Sequence, residues 1–247
     1  MLGLLHDANP ETKQLSETLN SISWHPVLGL IGCTDHGIWL VREDAKLQCI
    51  VPTFSAGVSQ LYADHKTGSV YAQYGDFWFQ ILVDPKYEGP RCATPPFLLT
   101  PRTVQWNNTH FGKGTAHGDT LEPTVGTDAR FTNVVSASLD SKDQDNLFVV
   151  DQVNDAIYHI NAQNIVTPLW RQVKSNPLSV VVNFPDMYIL RDGGRTIQRE
   201  TLISGPAVVG ACLPFVLPVS SIVAEYAFGK SVPIGLPFSY WSKLKLI

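Results

Sequence analysis

The stretch Asn146-Leu147-Phe148-Val149-Val150-Asp151-Gln152-Val153-Asn154-Asp155-Ala156-Ile157-Tyr158-His159-Ile160 decides the fold. Leu147 to Val150 is a short β-branched and aromatic run, and Ala156 to Ile160 is a second. Asp151 to Asp155 between them is rich in residues that tolerate turns and bond their own backbone. Two adjacent strands of one sheet follow. Ile157 and Ile160 are expected to alternate with turn and surface residues and to point between sheets.

Forty residues on, the hairpin recurs in weaker form as Met187-Tyr188-Ile189-Leu190-Arg191-Asp192-Gly193-Gly194-Arg195-Thr196-Ile197, with Ile197 in the register of Ile157. Upstream, Leu28 to Gly32 with Gly37 to Val41, and Ser69 to Tyr74 with Phe77 to Val83, have the same strand, turn, strand form, with Trp39 and Phe79 on that register. A period of about 40 residues matches one four-stranded propeller blade.

The unit from Phe111 to Thr167 opens Phe111-Gly112-Lys113-Gly114, continues through Gly118, Ala129, Arg130 and Phe131, and ends in the hairpin above. It resembles the NHL repeat: a Gly-x-Gly turn, a small-residue and Phe step, then a hairpin carrying Asp151 and Asn154. It departs from that pattern at Val134, Asp155 and Ala156. The resemblance implies an all-β fold, a β-propeller of about five four-stranded antiparallel blades with six as the alternative. The whole chain, 1–247, is expected to be one propeller domain with a proline-rich insertion at 84–102. That segment holds Pro85, Pro90, Pro95, Pro96 and Pro101, which lack ladder donors, so it reads as a long loop before a strand at Thr103 to Trp106. Leu2 to Leu5 reads as a closing strand, and Glu11 to Leu19 as one short helix.

Composition agrees with many short strands joined by tight turns. Of the 247 residues 44% are hydrophobic and only 16% charged, with 18 Gly and 17 Pro. The formal net charge of -4 offers no basic face to a phosphate backbone, so no nucleic acid partner is expected. Cys33, Cys49, Cys92 and Cys212 lack the close pairing of a zinc site and read as buried free thiols. Met1 to Lys13 shows no basic stretch followed by an apolar one, so an intracellular protein is expected, or an extracellular one if the chain is a piece of a larger secreted protein. Leu202 to Ala224 is an uncharged stretch long enough to cross a bilayer, but Pro206, Pro214, Pro218, Gly205 and Gly210 interrupt it, which favours buried strands.

Polar residues in or beside the inter-strand turns are Asp35, His36, His65, Asp76, Asp151, Asn154 and Asp192, and turn-forming is the ordinary role of Asp and Asn there. Gly112 to Gly118 lacks the ending of a phosphate-binding loop. These absences lead to a non-catalytic protein-interaction propeller, a scaffold or subunit of a larger assembly, with no catalytic residues, no metal and no cofactor. Tyr87, Arg91 and Phe97 of the proline-rich insertion are the expected anchors for a protein partner. Two alternatives stand beside this reading. One is a metal-dependent hydrolase or lyase at the axial channel using Asp151, Asp192 and Asn154; the other is a membrane-associated subunit through 202–224.

Overall fold

The computed structural model describes residues 2–5, 11–52, 57–75, 77–81, 91–92, 97–100, 102–106, 109–112, 118–143 and 145–204. The chain divides into a small unit, residues 1–5 with 203–247, and a large one, residues 6–202. The small unit contains the strand β1 (Leu2–Leu5), where a strand was expected.

In the large unit, β2 (Glu11–Gln14) precedes a sheet of β3 (Ser21–His25), β4 (Gly29–Thr34), β5 (Gly37–Val41) and β6 (Leu47–Pro52). A second sheet holds β7 (Gln60–Ala63), β8 (Val70–Tyr74), β9 (Phe77–Ile81) and β10 (Arg91–Cys92). The third has three strands, β11 (Phe97–Thr100), β12 (Thr103–Trp106) and β13 (Thr109–Phe111). The fourth orders β14 (Thr124–Val125) after β18 (Ile165–Arg171), with β17 (Ala156–Ile160), β16 (Leu147–Asp151) and β15 (Val134–Leu139) completing it. The last is built from β19 (Ser179–Asn183), β20 (Asp186–Arg191) and β21 (Thr196–Ser204).

These sheets are the blades of a β-propeller. Four of them have four or five strands, and every hairpin within them is antiparallel. Their first strands meet: β7 lies against β3, β3 against β19, β19 against β15, and β15 against β11. The sequence repeat is visible in the pairing, since Gly32↔Trp39, Ala72↔Phe79, Val150↔Ile157 and Leu190↔Ile197 occupy matching rungs.

Several expectations need correction. Glu11–Gln14 is a strand, not the start of a helix: it pairs antiparallel with β21 from Glu11↔Arg199 to Gln14↔Thr196, so a strand from the start of the chain joins the blade formed by its last repeat. An isolated four-residue polar segment has little helical stability of its own, and the open edge of β21 supplies the backbone partners that decide the matter. The segment 84–102 is not wholly a loop either. Arg91 and Cys92 pair with Gln80 and Phe79, and Phe97–Thr100 forms the first strand of the third sheet. The five prolines of that segment fall before, between and after these runs, leaving the strand residues themselves with ladder donors. Its remaining residues, Tyr87 among them, lie outside the described ones, as do Asp76 and Leu202–Ala224 beyond Ser204. No helix among the described residues is long and apolar enough to cross a membrane.

The interior is densest in the fourth blade, where all five residues of β16 and all five of β17 are buried. Ile157 and Ile160 therefore do not alternate with surface residues; neighbouring blades cover both faces of these middle strands. Phe111, Phe131, Leu147, Val149, Tyr158 and Ile160 share one core cluster. Of the cysteines, Cys33 is a buried free thiol as expected, while Cys49 is free but exposed.

Candidate functional site

The blades meet through hydroxyls as well as apolar side chains. Ser179 Oγ lies 3.3 Å from Ser136 Oγ and 3.5 Å from Ser21 Oγ, and the amides of Leu61 and Ala63 donate to Ser21 and Ser23. All four serines are buried, so first strands with few free backbone partners are bridged by short side chains that occupy little space. Gln60 extends the same bridging by donating to the Val135 carbonyl at 3.2 Å.

Away from these inner strands, the β3–β6 blade and the last blade leave a groove of about 880 Å³ between them. Its floor is a core cluster that includes Leu15, Leu30 and Ile197. On one wall stands Trp24, carried by β3 opposite Leu30; on the other stands Tyr188, carried by β20 opposite Arg199. Their rings stack at 5.6 Å between centroids with 17° between planes, and both are half-buried. Alternation along each strand sets this up: Ser21, Ser23 and His25 turn to one face of β3, and Ile22 and Trp24 to the other.

Charged side chains form the rim. Arg199 bonds Asp186 at 3.0 Å and reaches Glu11 at 3.4 Å; Lys13 sits 2.6 Å from Glu11 and donates to the Glu43 carbonyl at 2.5 Å. The last contact ties β2 to the turn after β5, across the groove. Lys13 beside Glu11 holds that carboxyl below its ordinary range, and the hydrogen bond from Arg199 to Asp186 raises the guanidinium. Burial raises the Tyr188 phenol, and the nearby carboxylates of Asp186, Glu11 and Glu43 act in the same direction against Arg199. The turn Arg42–Lys46 is shaped by Ala45, whose φ of 63° lets its amide bond the Arg42 carbonyl at 2.9 Å. Arg42 itself hydrogen-bonds Gln48.

The polar residues singled out from sequence stand elsewhere and do not converge. Asp151 is fully buried. Its carboxylate accepts from the Thr132 amide at 2.6 Å, the Asn133 amide at 2.9 Å and Asn154 Nδ2 at 2.8 Å. Asn154 also donates to the Gly118 carbonyl at 2.8 Å. Both residues thus fasten the approach to β15 onto the β16–β17 hairpin. Asp192 is exposed in the turn after β20, with Arg191 3.7 Å away. Asp35 and His36 are exposed in the two-residue turn between β4 and β5, where Asp35 accepts from Asn20 at 2.9 Å. His65 is half-buried, and burial pushes its imidazole down. Among the described residues no group of three or more His, Cys, Asp or Glu is gathered as a metal site. Arg91 and Phe97 stand in the paired strands β10 and β11.

The sequence marks neither Trp24 nor Tyr188 as a site residue and gives no sign of the groove. Its residues come from 11–15, 24–45 and 186–199, and no local pattern joins them.

No family model matches the chain, and no curated protein matches it. Among solved structures it is similar to Myxococcus xanthus glutaminyl cyclase at 9% identity over 81% of this chain and 96% of that one, with a TM-score of 0.48. It is also similar to virginiamycin B lyase from Staphylococcus aureus, at 12% identity over 79% and 99% of the two chains, with a TM-score of 0.47. An auxiliary nutrient binding protein from Bacteroides thetaiotaomicron aligns at 14% identity over 75% of this chain, with a TM-score of 0.29. The chain spans about half the length of that protein, covering 48% of it.

Proposed function

We propose that this chain is a non-catalytic, NHL-type propeller that works inside the cell by holding another protein, and that the groove between its first and last blades is where it does so. The observation that carries the reading is the Trp24–Tyr188 stack, two half-buried aromatic rings on facing walls of an 880 Å³ groove. Such rings bring large contact area at small entropic cost and are the side chains that most often dominate a protein interface. The charged groups on the rim that pair with one another, Glu11, Lys13, Asp186 and Arg199, support a binding surface framed by fixed ion pairs. Of the three residues of the axial-enzyme alternative, Asp151 and Asn154 are occupied in fastening a blade, and Asp192 stands apart from them in an exposed turn.

The test is capture of partners from the native source by the wild-type protein and by Trp24→Ala, with mass-spectrometric identification and with unfolding midpoints measured for both. Trp24→Ala is expected to stay folded and to lose a partner that the wild type retains at stoichiometric level. Recovery of the same partners by both proteins would remove the groove from the binding surface. A divalent ion that copurifies and is lost in Asp151→Ala would move the reading to the enzyme.

A further inference from the structure

The turn between β20 and β21, Asp192 to Arg195, contains the single Asp-Gly step of the chain, and no Asn-Gly step occurs in the sequence. Asp192 and Gly193 are both exposed, and both have left-handed backbone, with φ of 55° and 66°. The Asp192 carboxylate is held loosely, its described contact being Arg191 at 3.7 Å. Carboxylates in other turns are tied to amides further along the chain. Asp44 accepts from the Lys46 amide, Asp64 from that of Lys66, Asp143 from that of Asp145, and Asp155 from those of Lys174 and Asn176. The amide that follows Asp192 is open as well. Among the described residues nothing accepts a hydrogen bond from Gly193, whereas the Asp192 amide donates to the Ser175 carbonyl and the Gly194 amide to the Arg191 carbonyl. A Cβ placed on Gly193 would find nothing within 4 Å, so that side of the turn is unpacked.

A carboxyl group one methylene from the main chain lies within reach of the peptide nitrogen that follows it, and closing that bond makes a small, unstrained ring. Two things ordinarily oppose the closure: the side chain of the following residue, which crowds its own nitrogen, and hydrogen bonds that hold the carboxylate and the amide in place. Both restraints are absent at Asp192-Gly193. The chemistry balances without any co-reactant but water. The Gly193 nitrogen bonds to Cγ of the protonated Asp192 carboxyl, the bond from Cγ to its hydroxyl breaks, and that hydroxyl leaves with the amide proton as water. The product is a succinimide. Water then adds to one of the two ring carbonyls and the ring nitrogen departs from that carbon. Opening at Cγ restores aspartate. Opening at the former main-chain carbonyl leaves the chain running through Cγ, with the old carbonyl carbon as a free carboxylate, which is isoaspartate.

We propose that Asp192 is a site of spontaneous covalent modification, converting through a succinimide to isoaspartate in the folded protein, and that the conversion loosens the hold of the last blade on the segment after β2. Isoaspartate adds a methylene to the main chain of a turn whose next two residues are fixed. The Gly194 carbonyl accepts from the Leu19 amide and the Arg195 carbonyl from the Leu15 amide, each at 2.8 Å. A Cβ on Gly194 would lie 2.0 Å from the Leu19 carbonyl oxygen, so the two segments leave no slack to absorb a longer turn. Leu15 and Leu19 share a core cluster with Ile197, and the pairing of β2 with β21 begins at Gln14↔Thr196, right after the turn.

The experiment incubates the full chain, folded, for several weeks at body temperature in water enriched in heavy oxygen, beside a sample held unfolded in urea. Digestion in ordinary water and electron-transfer fragmentation then locate heavy oxygen and isoaspartate residue by residue. Heavy oxygen is expected at residue 192 of the folded protein, with more isoaspartate there than at any other aspartate. Asp192→Glu keeps the charge but would have to close a larger ring, and it should abolish the signal. Gly193→Ala should slow it severalfold by crowding the nitrogen. In the converted protein, amide hydrogen exchange should be faster at Leu15 and Leu19 and unchanged in the β16–β17 hairpin. Conversion in urea but not in the folded chain would show that the turn protects the pair, and would overturn the proposal. An unchanged rate in Gly193→Ala, or isoaspartate spread evenly over the aspartates, would do the same. Unchanged exchange at Leu15 and Leu19 after conversion would overturn the loosening.

Discussion

Asn154 donates from Nδ2 to Oδ2 of Asp151 at 2.8 Å, so two polar turn residues of the best-preserved repeat are bound to each other. The pair sits where β16 turns into β17, and it collects the amides of Thr132 and Asn133 and the carbonyl of Gly118. A spacing of three residues across a turn brings both side chains to one side of the hairpin, a local arrangement that needs no help from distant parts of the chain.

Removing that carboxylate should therefore cost stability. Asp151→Ala leaves the Thr132 and Asn133 amides without their acceptor in a shielded place, at a cost of about 2–4 kcal/mol. Asp151→Asn keeps one acceptor oxygen and should lose roughly half as much. Urea unfolding of both variants reads the difference, and equal midpoints for wild type and Asp151→Ala would contradict the fastening role.

Ile157 is fully buried between Val150 and Trp170 on the neighbouring rungs. Ile157→Ala is expected to destabilise the protein by about 2–4 kcal/mol, the transfer loss plus an unfilled cavity. A thermal midpoint unchanged by the substitution would be incompatible with Ile157 filling the blade interior.

The hairpins were readable because their signals are local: β-branched and aromatic runs such as Leu147–Val150 flank turn residues such as Asp151–Asp155, and the register repeats from Ile157 to Ile197. The groove was not. Glu11–Gln14 carries no apolar alternation, and only the edge of β21, some 185 residues away in sequence, makes it a strand. The serines that bridge the blades, Ser21, Ser136 and Ser179, belong to a residue type found everywhere on protein surfaces, and their burial follows from the meeting of three blades. In the same way Arg91 and Phe97 look like loop residues among prolines until β9 and β12 supply their backbone partners.

His159 gives the fold a pH dependence. It is buried on β17, with Nε2 donating to Asn146 Oδ1 at 2.6 Å, and burial pushes its imidazole down from about 6.5 to about 4, with Asp143 opposing weakly. Below pH 6.5 the unfolded chain takes up a proton that the folded one refuses. The contribution is therefore complete above that pH and drains away as the pH falls toward 4, by about 3 kcal/mol in all. His159→Gln removes the titration, so the stability difference between wild type and variant should shift by that amount between pH 7 and pH 4. A constant difference across the range would show that the imidazole titrates normally.

The two described cysteine side chains should react very differently. Cys33 is buried, and desolvation pushes its thiol up to about 12, whereas Cys49 is exposed on β6. Since the thiolate is the reactive form, iodoacetamide at pH 8 should alkylate Cys49 in the native protein and reach Cys33 only after unfolding. Peptide mapping distinguishes the two sites, and modification of Cys33 in the folded protein at the rate of Cys49 would mean that the first blade opens readily.

Gly193 and Gly194, adjacent in the turn between β20 and β21, make a controlled comparison. Both have positive φ, 66° and 86°, so a side chain at either meets some backbone strain. Their surroundings differ. A Cβ at Gly193 would have nothing within 4 Å, whereas one at Gly194 would lie 2.0 Å from the Leu19 carbonyl oxygen. That approach is functional in the fold, because the Leu19 amide donates to the Gly194 carbonyl at 2.8 Å and joins the segment after β2 to the last blade. Gly193→Asn, a residue that tolerates the left-handed region, should cost less than about 1 kcal/mol. Gly194→Asn carries the same φ penalty but must also push the 15–20 segment away from the turn, at a cost of roughly 3 kcal/mol or more. Because Leu15 and Leu19 line the core beneath Trp24, the second variant should also disturb the Trp24–Tyr188 stack, visible as altered near-ultraviolet circular dichroism. If both variants unfold at the same denaturant concentration, the close packing of Leu19 on Gly194 is wrong, and with it the way β2 is anchored to the last blade.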